Sequence, residues 1–391
     1  MNHISSTHDV VVVGARAAGA ATAMLLARAG LDVLVVDRSR YGADTLSTHA
    51  LMRAGVVQLH RWGLLDAVAA STPAVRRTTF TYADAEVSIT IKPSHGVDAL
   101  YAPRRTVLDP ILVDAARAAG ARVEYGTTIT GVTRDRTGRV DGIVGRDDRA
   151  RAVQYAARWV VGADGLGSVV ARAVDAPIER HGTGATAVVY GYWPGFDVDG
   201  YHWIFRPDAC AGVIPTNGDR SCVFAAATPA RIGRGGMDIF YDVVRDASPA
   251  LRARLATAVP AAGVRTFRGQ PGHIRTPWGP GWALVGDAGY WKDPIGAHGL
   301  TDALRDAELV ARAIVATMTD AATETDALGH YHHARNRLSL PLFDVVDTIA
   351  RLRWTDAEIP ELLLRLSSAM SDEVEAVARL DDVPSLTGGR P

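Results

Sequence analysis

The chain has 391 residues, a hydrophobic content of 48% and a formal net charge of −1. That length accommodates two joined domains or one large domain with an inserted sheet, and the charge balance argues against nucleic acid or anionic lipid as a partner. Cys210 and Cys222 have neither disulfide-framework nor metal-ligand spacing, the first eight residues carry no signal-peptide pattern, and Arg28, Asp32 and Asp37 interrupt the best apolar run, so a cytoplasmic protein without an integral membrane segment is expected.

Residues 10–13 are an unbroken apolar run, as a strand covered on both faces requires. Helix formers fill 17–29 and Gly30 stops them. A second buried strand over 31–36 ends at Asp37 and completes a βαβ opening. A helix is expected over about 49–70, where Leu51, Val56, Val57, Leu59 and Trp62 fall near helical spacing. The period then changes to two: 78–82 and 87–91 alternate around Asp84-Ala85-Glu86, which reads as a β-hairpin. Helix returns over 108–119 and strand over 122–132. A hairpin spans 132–144, turned at Thr137-Gly138, and 159–162 is a further buried strand. Residues 173–276 read as β-rich and aromatic. A short apolar strand covers 282–285, helices follow over 301–318 and from about 328 onward, and the tail 387–391 is expected to fray. Doubly wound segments interrupted by β-rich ones imply an α/β protein with one discontinuous nucleotide domain and one antiparallel substrate domain.

The turn Gly14-Ala15-Arg16-Ala17-Ala18-Gly19 resembles a dinucleotide fingerprint with arginine at the second glycine. The first glycine permits the tight turn and the third lets helix and strand pack closely, while the helix N-terminus offers free N–H groups to an anion. Asp37 stands near the spacing of about 20 residues expected for a ribose-binding acid. The plain alternative is a strand–helix turn of any α/β protein.

Two later stretches bear on that choice. "WVVGADGLGSVVARAV" (159–174) has a strand, then Asp164-Gly165, then Ser168 and Arg172 opening a helix. "WALVGDAGYWKDPIGAHGLTDALRDAELVARAI" (282–314) has a strand, Gly286-Asp287-Ala288, and Pro294, Gly296 and Gly299 before a helix. With Arg105 in "RRTVLDPILVDAA", these motifs make the chain resemble the class A flavoprotein monooxygenases, the para-hydroxybenzoate hydroxylase-like superfamily, over residues 10–314.

That resemblance implies a doubly wound, Rossmann-like FAD-binding domain (1–72, 101–172 and 277–335), an inserted antiparallel substrate sheet (73–100 and 173–276) and C-terminal helices (336–391). It implies that Gly14, Ala15, Arg16, Ala17, Ala18 and Gly19 hold the FAD pyrophosphate and Asp37 the ribose, with Arg38 and Ile129 nearby. Arg53 and Arg105 would reach the phosphates or ribityl chain, Asp287 the ribityl hydroxyls, and Pro294, Gly296 and Gly299 the flavin ring, with Asp164 bracing the turn from behind. Arg53 and Arg105 also read as surface helix residues, Asp164-Gly165 as a plain turn, and Asp287 as a helix cap. The implied reaction is hydroxylation of an aromatic or polyketide-like molecule through a flavin C4a-hydroperoxide, using O₂ and a transiently bound NAD(P)H.

Tyr190, Tyr192, Trp203 and Phe205 are candidate walls for a flat substrate, although aromatic residues of this kind also fill cores. His298, His202 and Asp293 are candidate acid–base groups, since imidazole titrates near neutral pH and Asp293 borders the loop. Lys292 belongs to the same loop. Three other readings stay open: a saturase of the geranylgeranyl reductase type, a flavin-dependent halogenase (for which the two-tryptophan motif and pocket lysine are missing), and a flavin-bound protein whose role is binding.

Overall fold

Branched and small apolar residues at the N-terminus fit a parallel sheet buried on both faces. The computed structural model describes residues 4–386, so the tail 387–391 lies outside the described residues. Strands β1 (Ile4–Val13), β2 (Val33–Asp37), β5 (Arg122–Tyr125), β8 (Ala152–Gly162) and β17 (Trp282–Leu284) lie parallel in the order β17-β8-β1-β2-β5. Antiparallel β6 (Thr128–Arg134), β7 (Val140–Arg146) and β16 (Trp278–Gly279) extend the sheet to eight strands. Val10 and Val12 face one core cluster while Val11 and Val13 face another, which is why β1 reads as a continuous apolar run. Helices α1 (Ala17–Arg28), α4 (Arg105–Ala118) and α9 (Gly299–Met318) pack together on the first of those faces.

A second sheet carries β3 (Arg77–Tyr82), β4 (Ala85–Thr90), β10 (Ala187–Pro194), β11 (Tyr201–Arg206), β12 (Ala209–Thr216), β13 (Arg220–Ala227) and β14 (Arg265–Phe267). Its order is β14-β10-β13-β12-β11-β3-β4, antiparallel except where β3 meets β11. A small third sheet joins β9 (Ile178–His181), β15 (His273–Arg275) and β18 (Tyr290–Trp291). The architecture is therefore the expected α/β fold with an inserted sheet and a helical C-terminus, here α10 (Glu324–Ala350) and α11 (Ile359–Ala378).

Three stretches differ from the sequence reading. The strand expected over 122–132 is two, β5 and β6, parted at Gly126 (φ 73°). The helix expected over 49–70 is two helices, α2 (Arg53–Arg61) and α3 (Leu65–Ala69). His49 adopts the left-handed region (φ 70°) before α2, and Gly63 (φ 74°) separates the pair. The helix expected after Ser168 is α5 (Val169–Ala173), but within the β-rich segment lie three more, α6 (Pro229–Ile232), α7 (Met237–Ala247) and α8 (Pro249–Ala256). Phe240, Val243, Val244 and Ala247 of α7 cover Val189, Trp193 and Ile204 on the sheet's outer face. The strands beneath are apolar on both sides, which hid the helical period of their cover.

Candidate active site

The turn after β1 is as tight as its glycines imply. Gly14 has φ 107°, and a Cβ there would lie 2.4 Å from the Ala163 carbonyl oxygen. A Cβ on Gly19 would lie 1.8 Å from the Gly14 oxygen. The first intrahelical bond of α1 runs from Ala20 N to Arg16 O, so the Ala17, Ala18 and Gly19 amides form an open helix N-terminus suited to an anion. Arg16 turns its guanidinium sideways, to the carbonyls of Ala43 (3.3 Å) and Asp44 (3.4 Å) and towards Asp109 (3.5 Å). Arg105 converges on the same Asp109 carboxylate at 2.9 Å, placing two guanidinium groups beside the helix end.

Asp37 receives Ala15 N at 2.7 Å and the Ser39 amide at 2.7 Å, and so holds the turn against the end of β2. Arg38 beside it is exposed. Ile129 packs into the core behind the sheet with Val13 and Val36. Asp164 accepts from Ser168 Oγ (2.6 Å) and Val169 N (2.6 Å) and so braces the start of α5, whose N-cap is Ser168, while its backbone abuts Gly14. Asp287 has no hydrogen-bond partner among the described residues. Burial raises its carboxyl to about 6, against the pull of Lys292 and Arg105. Gly299 comes within 3.9 Å of Asp287 Oδ1 when given a Cβ, so that carboxylate sits at the N-terminus of α9, whose first bond is Asp302 N to His298 O. These orphan amides, the unpartnered carboxylate and the paired arginines together fit a dinucleotide.

Arg53 does not join that group. It opens α2 and bonds Ser94 Oγ at 2.7 Å on the lip of a cavity of about 230 Å³. The cavity is bounded by β3, β11, α11 and residues 295–298. Phe80, Trp203, Phe205, Leu366 and Met370 give it apolar walls, and Arg53 and His298 are the ionisable side chains other than tyrosine in the lining among the described residues. Trp203 is fixed by its indole N–H, which donates to Thr78 Oγ1 at 3.0 Å.

Trp203 and Phe205 line this cavity, but Tyr190 and Tyr192 do not. Between β10 and β11 lie β13 and β12, so the two pairs stand about 14 Å apart at about 4.8 Å per strand. The tyrosines face the loop ahead of α2. Tyr190 OH accepts from Ser47 N (3.1 Å), and Tyr192 OH bonds His49 Nε2, with the two rings stacked. Arg104 lies 4.4 Å over the Tyr192 ring, and Arg104 and Arg265 each meet Asp44 at 2.9 Å. Burial, and then Arg105, hold His49 down at about 3.

The three candidate acid–base residues separate as well. His202 sits on the opposite face of β11 from Trp203, bonded to Asp199 (2.7 Å) and away from the cavity. Asp293 is buried and accepts from Thr186 N (2.6 Å), Thr186 Oγ1 (2.5 Å) and Ile295 N (2.9 Å), so it fastens the loop to β10. Burial still lifts its carboxyl to about 7, against those donors. His298 lines the cavity and bonds Glu373 of α11 through Nε2. Glu373 also accepts from Arg305 (2.8 Å), which reaches Asp302 (3.0 Å), Asp306 (2.8 Å) and Ser339 (2.9 Å). Lys292 pairs with Asp302, and burial with the neighbouring Arg305 holds the amine down at about 7.

A family model described as "FAD binding domain" matches residues 7–344. The chain belongs to that FAD-binding family. It is a class A-like flavoprotein and an FAD-dependent oxidoreductase, with FAD as its cofactor. It is 28% identical over 349 residues to the menaquinone reductase of Mycolicibacterium smegmatis, covering 84% of this chain and 81% of that one. It is 27% identical over 383 residues to the tetracenomycin B2 monooxygenase-dioxygenase of Streptomyces olivaceus, covering 88% and 68%. Among solved structures, the flavin-dependent brominase Bmp2 superposes with a TM-score of 0.78 at 19% identity, over 95% of this chain and 93% of that one, a likeness of fold. Among the described residues, no helix is long and apolar enough to cross a membrane.

Sequence reasoning missed His49, Arg305 and Glu373. Glu373 did leave a signal: it falls on the buried stripe of α11 with Leu366, Ala369 and Val377, where an unpaired acid has no place. Arg305 sits likewise on the buried side of α9.

Proposed function

We propose that this flavoprotein is a monooxygenase that hydroxylates an apolar, ring-bearing small molecule, with NAD(P)H as a transient reductant and O₂ as co-substrate. The observation that carries the reading is the cavity of about 230 Å³ ending on residues 295–298, the loop that the family resemblance assigns to the flavin ring. FAD supplies the redox step when bound: electrons from NAD(P)H reach O₂, one oxygen atom goes to the substrate and the other leaves as water. Gly14, the α1 amides, Arg16, Arg105 and Asp287 would hold it.

The chain's own part is orientation and exclusion of water. Trp203 and Phe205 present flat faces to a ring, and their position is set by β11 and by the Thr78 bond. Leu366, Met370 and Val374 of α11 give the chamber an apolar wall, which disfavours water beside the reacting centre. Gly299 and the next two amides of α9 offer donors to an electron-rich acceptor at the loop.

A second reading, reduction of an isolated double bond in a polyprenyl-type chain, draws support from the same aliphatic wall and from the likeness to menaquinone reductase. One experiment separates them. The yellow protein is given NADPH or NADH, ¹⁸O₂ and a panel of naphthols, anthraquinones and polyprenyl quinones. A product carrying one ¹⁸O atom is expected. A product two hydrogens heavier, formed without oxygen, refutes hydroxylation.

A further inference from the structure

The buried charge cluster behind the flavin loop does something that packing does not require. Glu373, Arg305, Asp302, Asp306, Lys292 and His298 are all buried, and they join the loop, α9 and α11. Such networks lose solvation energy comparable to what their attraction returns, so apolar residues of similar volume would hold these elements together as well. One member, His298, is a lining residue of the substrate cavity, and its Nδ1 is buried with no hydrogen-bond partner.

The protonation pattern follows from the partners. Burial alone would raise the Glu373 carboxyl; its partners His298 and Arg305, the latter at 2.8 Å, more than reverse that and hold it below the ordinary carboxylate range. An ionised carboxylate accepts and cannot donate, so the hydrogen bond to Glu373 must carry the proton on His298 Nε2. Burial pushes the imidazole below its ordinary value, against the pull of Glu373. Nδ1 has no acceptor to take a hydrogen bond, so the geometry is that of a ring with Nε2 protonated and Nδ1 bare. The charged groups around it are Glu373 from α11, Arg305, Asp302 and Asp306 from α9, and Lys292 from the loop after β18.

We propose that His298 is the general base of the cavity and that Glu373 is its positioning residue, fixing the tautomer that leaves Nδ1 free to accept a proton from a hydroxyl on the bound ring. This rests on the hydroxylase reading above. In the step, the substrate O–H bond breaks, its proton passes to Nδ1, and the electron pair stays on oxygen. The resulting ring is more electron-rich at the carbon to be oxygenated. The imidazolium is stabilised by the Glu373 carboxylate on its other nitrogen, the arrangement by which a buried acid orients a histidine base.

The test is nitrogen NMR of the holoenzyme with ¹⁵N-labelled histidine, the His298 resonances being identified by their loss in His298→Gln. At neutral pH, Nε2 should carry a proton and Nδ1 should resonate as a bare nitrogen. Titration with 2-naphthol should move Nδ1 to the protonated position, and the bound naphthol should absorb as its anion. In Glu373→Gln, which removes the charge with little change of shape, the naphthol should stay un-ionised; if that variant does not fold, the wild-type titration decides alone. A proton on Nδ1 in the ligand-free enzyme overturns the proposal. So does an Nδ1 resonance that stays still throughout the titration. Failure of ¹⁸O incorporation would sink the hydroxylase reading and leave these nitrogen shifts unchanged.

Discussion

Replacing Gly19 with alanine tests whether the turn after β1 is the cofactor cradle. The new Cβ would stand 1.8 Å from the Gly14 carbonyl oxygen and 3.1 Å from Ala163 Cβ. Ordinary contact begins near 3.4 Å, so α1 must withdraw by about 1.6 Å, and the obstacle is backbone that cannot rotate aside. Overpacking of a tight core costs roughly 1–3 kcal/mol, and this site belongs at the upper end. The same withdrawal pulls the Ala17 and Ala18 amides off any bound phosphate. We expect Gly19→Ala to lose about 3 kcal/mol in urea unfolding and to be purified largely colourless. Gly329→Ala is the control: this helical glycine of α10 has nothing within 4 Å of a new Cβ. Lower chain entropy in the unfolded state should make it about 0.5–1 kcal/mol more stable, with its yellow colour unchanged. A Gly19→Ala protein with wild-type flavin content and unfolding midpoint would refute the account of the turn.

Asp287→Ala should weaken FAD binding about ten- to a hundredfold, the worth of a hydrogen bond to a charged group, as measured by quenching of flavin fluorescence; unchanged affinity would remove Asp287 from the cofactor site. Leu366→Trp should fill the cavity and cut turnover at least tenfold while the flavin spectrum and melting temperature hold, and full turnover would place the substrate elsewhere. His49 is held at about 3 when folded, below its unfolded value near 6.5, so its stability contribution is present above about 6.5 and lost as the pH falls towards 3. Its share is up to about 1.4 kcal/mol per pH unit, and His49→Asn should flatten the stability–pH curve by that slope between pH 4 and 6. The difference from wild type is the quantity to measure, because Asp287 and Asp293, raised to about 6 and about 7, favour the folded state at lower pH over part of the same range. Curves that run parallel would mean that His49 titrates normally.

The βαβ opening, the glycine turn, Asp37 and the Gly286-Asp287 corner were legible in the sequence because each is a local matter of backbone and period. A strand covered on both faces must be apolar at every position, and a helix that touches a carbonyl must carry glycine there. The FAD-binding family follows from those features together with their order along the chain.

Tertiary structure alone decided what the aromatic and charged residues do. Tyr192 and Trp203 are close in sequence, yet two intervening strands send one to His49 and the other to the cavity. His298 and Glu373 are 75 residues apart, and they meet because α11 packs against α2 and α10, which brings Glu373 to the N-terminal part of α9. Strand order and helix return are set by the burial of whole apolar faces, a property of the assembled chain, so no local period records which polar groups will be brought into contact beneath them.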